Sequence, residues 1–140
     1  MEKTDEQWRS DFEAWALPIL HELADVLLLR DFEPIEIEYK KMREQVAECE
    51  CGYPYKSIMI RYSEELLEDY KQGKLANVVS VLTHEMCHPL TDPLYVKAVQ
   101  VFKTREEVEA ERERLTDHIA NIVLRAKLTP LSQPTSGGSK

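Results

Sequence analysis

Apolar residues follow two rhythms along the chain, one repeating near 3.6 residues and one repeating every two. Trp8, Phe12, Trp15, Ile19, Leu23 and Val26 recur at steps of four and three, the stripe of an amphipathic helix. Thr4 with Gln7 three positions on makes a capping box, so the helix is expected over about residues 5–30. Pro18 lies on the flank of the stripe and is expected to kink the helix or split it. After a break at 31–34, Ile35-Glu36-Ile37-Glu38-Tyr39 alternates apolar with acidic, the pattern of a strand with one buried face. A second strand is expected at 45–51, with Ala47, Cys49 and Cys51 on one face and the thiols turned inward as small hydrophobes. Gly52-Tyr53-Pro54-Tyr55 reads as a turn, and a third strand follows at 57–62 with Ile58, Ile60 and Tyr62 together. Ser63 is placed to cap the next helix, Glu64 and Glu65 suit its positive end, and Gly73 stops it.

The 3.6 rhythm returns in Leu75, Val78, Val79, Leu82 and Met86, a core-facing stripe on a helix over about 76–88. Pro89 has no N–H for the carbonyl of Glu85 and disfavours helical geometry at His88, so this helix is expected to end or kink there. Asp92 as cap with Pro93 at the first helical position suggests a separate short helix reaching Phe102. Thr104 and Glu107 form a second capping box. It opens a last helix to about residue 127, with Val108, Leu115, Ile119, Ile122 and Ala126 expected on its core side. Residues 129–140 turn to Pro, Ser, Gly and Thr, the composition of a disordered tail. The expected fold is α+β: a long helix, a small three-stranded sheet, a short helix and two further helices, in one domain over 1–128. No internal repeat is present.

A length of 140 residues suits a single domain that buries roughly 70% of its unfolded surface. The formal charge of −8 argues against nucleic acid or an anionic membrane as the main partner, because both require clustered Lys and Arg. The first residues are polar and acidic, with no signal-like apolar stretch, and no apolar run approaches about 20 residues. A soluble, cytoplasmic protein is the expectation. The odd number of cysteines, 3, agrees with a reducing compartment better than with a disulfide framework.

Chemistry enters at His84-Glu85-Met86-Cys87-His88, the pattern H-E-x-x-H. Four helical residues turn through about 400°, so both rings leave one side with Cβ atoms roughly 6 Å apart, close enough to share one Zn²⁺. Glu85 stands beside them, placed to hold a water without ligating the metal. A catalytic zinc takes three protein ligands. His118 and His21 are the remaining histidines, but Glu113 and Asp117 offer a better arrangement. They stand four apart on one helix side, so Glu113 can ligate while Asp117 holds the far nitrogen of a ligand histidine. Glu109, one turn earlier, is the rival to Glu113. Cys49-Glu50-Cys51 is a weaker alternative metal motif.

H-E-x-x-H followed some 25 positions later by E-x-x-T-D resembles the gluzincin metallopeptidases, and the order of elements in so short a chain is most similar to the single-domain minigluzincins. The resemblance spans about residues 5–128. It implies a zincin-like fold with one catalytic Zn²⁺ on His84, His88 and Glu113, Glu85 as general base and Asp117 as histidine partner. It further implies hydrolysis of peptide bonds by a zinc-activated water in a peptide or protein substrate that pairs with an edge strand, by position the one at 57–62. Tyr95 and His118 are the candidates to donate to the tetrahedral intermediate. The alternative is a latent or catalytically silent module of the same fold, in which zinc holds the helices together. Oligomeric state is not encoded in these patterns.

Overall fold

A computed structural model describes residues 2–29, 31–52, 56–99 and 104–128. Its elements run α1 (Asp5–Val26), β1 (Ile35–Tyr39), β2 (Ala47–Gly52), β3 (Ser57–Tyr62), α2 (Glu64–Lys71), α3 (Leu75–Val99) and α4 (Arg105–Val123), the last continuing into a π turn at Leu124–Leu128. The fold is α+β, as the two rhythms indicate. The expected tail at 129–140, the turn residues Tyr53, Pro54 and Tyr55, and Phe102 at the end of the expected short helix lie outside the described residues. Among the described residues, no helix is long and apolar enough to cross a membrane.

Helix α1 begins at the expected capping box, and Phe12, Ile19, Leu20 and Leu23 are buried. It ends at Val26, short of the expected residue 30, where Leu27 caps it and Leu28 turns left-handed at φ 58. Val26 is therefore exposed, not part of the seam. Pro18 does not split the helix. Pro18 and Ala14, whose carbonyl loses its partner, both face solvent, and water can satisfy that carbonyl. Pro18→Ala should thus restore a helical bond and raise stability by about 1–3 kcal/mol, helix propensity less the entropy returned to the unfolded chain. An unchanged or lower urea midpoint would show that the proline is needed for the packing of α1.

The sheet order is β1-β3-β2, with β3 parallel to β1 and antiparallel to β2. This corrects the assignment of 57–62 as the edge strand. The link from β1 to β2 leaves a slot that the most apolar strand fills, and Ile58, Ile60 and Tyr62 point into the core. On the opposite face Arg61 holds Glu38 of β1 at 2.8 Å and Glu50 of β2 at 2.6 Å. Phe12 packs on Tyr62 at 4.5 Å and on Tyr70 of α2 at 5.2 Å between ring centroids, joining α1, sheet and α2. The buried Tyr62 hydroxyl donates to Glu13 at 2.6 Å. Tyr62→Phe should cost about 1.5 kcal/mol, the low end for a charged acceptor, because Glu13 is half-buried and water can replace the donor. A denaturation curve superimposable on wild type would remove that bond from the account.

Three further expectations are corrected at the helices. Ser63 stands at the N-cap of α2, but its hydroxyl makes no capping bond and is buried without a partner. The other end of α2 is as expected: Gly73 adopts φ 73, and its N–H and that of Lys74 donate back to Tyr70 and Asp69, a Schellman motif. More consequential is α3, one helix across Pro89 and Pro93 where a stop and a second helix were expected. Each proline removes one backbone bond, while packing against α4 holds the rod on both sides of them. The Thr116 hydroxyl lies 2.8 Å from the carbonyl of Arg112, and Thr91, beyond Pro89, shares a hydrogen bond with Thr116 across the helices at 3.0 Å. The buried seam of α4 is Thr116, Ala120 and Val123. Ile122, expected on it, is 56% exposed, and Ala126 is also exposed; the polar Thr116 replaces them because it has Thr91 as partner.

Candidate metal centre

The stripe of Val78, Val79, Leu82 and Met86 is buried, which turns His84, Glu85 and His88 toward a cleft of about 620 Å³ between α3, α4 and residues 45–49 of β2 and its approach. Because β3 occupies the middle of the sheet, β2 is an edge strand, and it walls this cleft. The two imidazole centroids lie 5.0 Å apart. His88 and Glu85 are only 8% and 7% exposed.

Each imidazole is fixed from behind by a carboxylate. His84 Nδ1 lies 2.6 Å from Asp117 Oδ1, and His88 Nδ1 lies 3.2 Å from Asp92 Oδ1. These partners assign the proton of a neutral ring to Nδ1 and leave each Nε2 with a bare lone pair. Both Nε2 atoms face Glu113, at 3.2 Å from His84 to Oε2 and 3.9 Å from His88 to Oε1. Lone pairs turned on a carboxylate repel unless a proton or cation lies between them. Donor atoms around a tetrahedral zinc, with bonds of about 2.0–2.1 Å, stand about 3.4 Å apart; the His84 contact is close to that spacing, and the His88 contact, to the other carboxylate oxygen, is longer.

Glu85 is a second carboxylate in reach. One donor atom each of His84, Glu85 and His88 lies within 4.8 Å of the others, and Glu85 Oε2 is 3.9 Å from His88 Nε2. Glu113 stands outside that group of three and presents its two oxygens separately, Oε2 to His84 at 3.2 Å and Oε1 to His88 at 3.9 Å. Burial raises the pKa of Glu85, the nearby His88 and His84 opposing it, which suits a group that takes up a proton. Burial pulls His88 downward, but the bond to Asp92 and the carboxylates of Glu85 and Glu113 outweigh it and raise it overall.

Arg112 ties the carboxylates together. Its Nε and Nη2 lie 3.2 and 3.1 Å from Glu113 Oε1, and Nη1 lies 3.8 Å from Asp92. Glu109, the rival ligand, is held by the same guanidinium at 3.6 Å and lines the cleft rim. Neither candidate donor reaches the cleft. Tyr95 lies under Arg112, with the guanidinium 4.2 Å above its ring, in a neighbouring groove with Leu94, Ala98 and Leu115. His118 and His21 are exposed on α4 and α1, away from the cleft lining. Asp92 and Arg112 were not singled out from the sequence as site residues. Asp92 follows His88 by the same four-residue step that separates the two histidines, but the flanking prolines make it read as a cap. No protein-family model, curated protein or solved structure matches this chain.

Proposed function

We propose that the chain is a zinc metallopeptidase of minimal gluzincin type, with His84, His88 and Glu113 as ligands and Glu85 as general base. The observation that carries this reading is the convergence of two Nε2 lone pairs on Glu113 while both Nδ1 atoms are committed to carboxylates. Zinc held there supplies Lewis acidity, polarising a carbonyl and acidifying water. Glu85, buried and more basic than an ordinary carboxylate, takes the proton of the attacking water and returns it to the leaving amine. Asp117 and Asp92 keep the rings in the ligating tautomer, a role that raises ligand basicity. Arg112 neutralises part of the charge of Glu113 and Asp92 and holds their orientation.

An extended peptide fits the cleft by adding a strand to the edge of β2, with main-chain bonds for affinity and side-chain pockets for choice. The edge named from sequence, 57–62, is taken on both sides by β1 and β2, so β2 replaces it.

A second reading, a catalytically silent module in which the metal braces α3 against α4, draws on one observation. Among the described residues, no Tyr, and no His other than His84 and His88, lines the cleft to donate to a tetrahedral intermediate. Zinc analysis of the full chain with a broad peptide library separates the two readings. The peptidase reading requires one zinc per chain and cleavage that chelation stops and added zinc restores. One zinc with no cleavage of any peptide favours the silent module, and no zinc at all removes both.

A further inference from the structure

Strand β2, which walls the cleft, carries two thiols, one of them in the cleft lining. Cys49 and Cys51 lie on one face of β2, both half-buried, with their Sγ atoms 3.7 Å apart. Cys49 lines the cleft, and its thiol lies in the field of Glu85 and Asp92. The third cysteine, Cys87, is buried in the core.

Two outcomes are chemically open to such a pair, and strand geometry separates them. Same-face positions two apart on a strand are about 6.6–6.8 Å from one another. A disulfide needs its Cβ atoms only about 3.5–4.5 Å apart, so oxidation would have to pinch β2 out of register with β3. A thiophilic cation makes no such demand. With metal–sulfur bonds of about 2.3 Å at a tetrahedral angle, two thiolates stand about 3.8 Å apart, which the present 3.7 Å meets with the strand left extended.

We propose that Cys49 and Cys51 form a second metal site, a two-thiolate chelate for a tetrahedral thiophilic cation of the zinc and cadmium class. It is distinct from the site on His84, His88 and Glu113 and does not depend on peptidase activity. Binding breaks two S–H bonds, forms two S–metal bonds and releases two protons, with no change of oxidation state. Thiols bind such a cation as thiolates, so the cation displaces both protons on binding. Solvent or a substrate group in the cleft completes the coordination.

Cadmium is the probe, because thiolate-to-cadmium charge transfer gives an ultraviolet band that histidine and carboxylate ligands do not. The reduced, metal-free chain is expected to develop this band to the amplitude of one sulfur-bound cadmium per chain, and in the His84→Ala, His88→Ala double variant to saturate at one cadmium per chain with two protons released. Cys49→Ser or Cys51→Ser, each isosteric, should weaken the sulfur-bound cadmium at least tenfold, and Cys87→Ser should leave it within twofold. Near-ultraviolet circular dichroism reports whether each variant is folded. Should a serine variant fail to fold, the wild-type titration decides alone. Absence of the band in wild type overturns the proposal, as does a band that survives in folded Cys49→Ser and Cys51→Ser or follows Cys87. Loss of two hydrogens by mass in air, with no cadmium taken up by the reduced protein, would make the pair a disulfide and overturn it too.

Discussion

Replacing Glu85 by glutamine is expected to leave one zinc per chain and to lower peptide cleavage by about 10²–10⁴-fold, the range for loss of a positioned general base. Glutamine keeps the volume and one oxygen of the side chain, so a residue only 7% exposed can be replaced without opening a cavity. What it removes is the ability to accept a proton. Glu85 Oε2 lies 3.9 Å from His88 Nε2, near enough to have been a ligand, and the same variant settles that point. A ligand's loss would lower zinc affinity together with activity, whereas a base's loss lowers activity alone. Zinc stoichiometry by metal analysis and turnover on the best library peptide supply the two readouts. Equal turnover by wild type and variant would sink the proposed role.

Local patterns revealed the parts of this molecule whose causes are local. The capping boxes at Thr4 and Thr104, the stripe of Val78, Val79, Leu82 and Met86, and the four-residue step between His84 and His88 all report neighbours on one helix. The reach of Glu113 toward both rings could be read as well, since Glu113 and Asp117 occupy one side of α4 and meet one side of α3. What stayed hidden depends on partners distant in the chain. Pro89 looks like a stop, and Pro93 like the start of a new helix, because the rule for proline counts one lost backbone bond, whereas the Thr91–Thr116 bond and the packing of α3 on α4 are tertiary. Reading Asp92 as a cap followed from that same error. Once the helix continues, the residue four after His88 faces the ring and becomes its partner. Strand order is also non-local: nothing within 57–62 says that β3 is flanked on both sides, and the open edge beside the metal cleft belongs to β2.

Removing the Glu113 side chain is expected to weaken zinc binding more than any other single change on α4. Glu113→Ala deletes the carboxylate facing both Nε2 atoms at 3.2 and 3.9 Å, leaving two protein ligands where catalytic zinc takes three. Asp117→Ala and Asp92→Ala leave all three ligands but free an imidazole to rotate or change tautomer, and each should cost about 10–100-fold in affinity. Glu113→Ala should exceed both. Glu109→Ala is the control: its carboxylate meets Arg112 at 3.6 Å, so its loss should stay below the effect of either aspartate. Competition with a chromophoric chelator gives the four affinities on one scale. If Glu109→Ala proves the most damaging, the third ligand moves one turn toward the start of α4 and the polyhedron drawn around Glu113 is wrong. If no α4 variant matters, the histidines bind their metal without help from that helix. The contact between α3 and α4 would then be packing alone, since a carboxylate that sheds no affinity when deleted cannot be sharing a cation with the rings it faces.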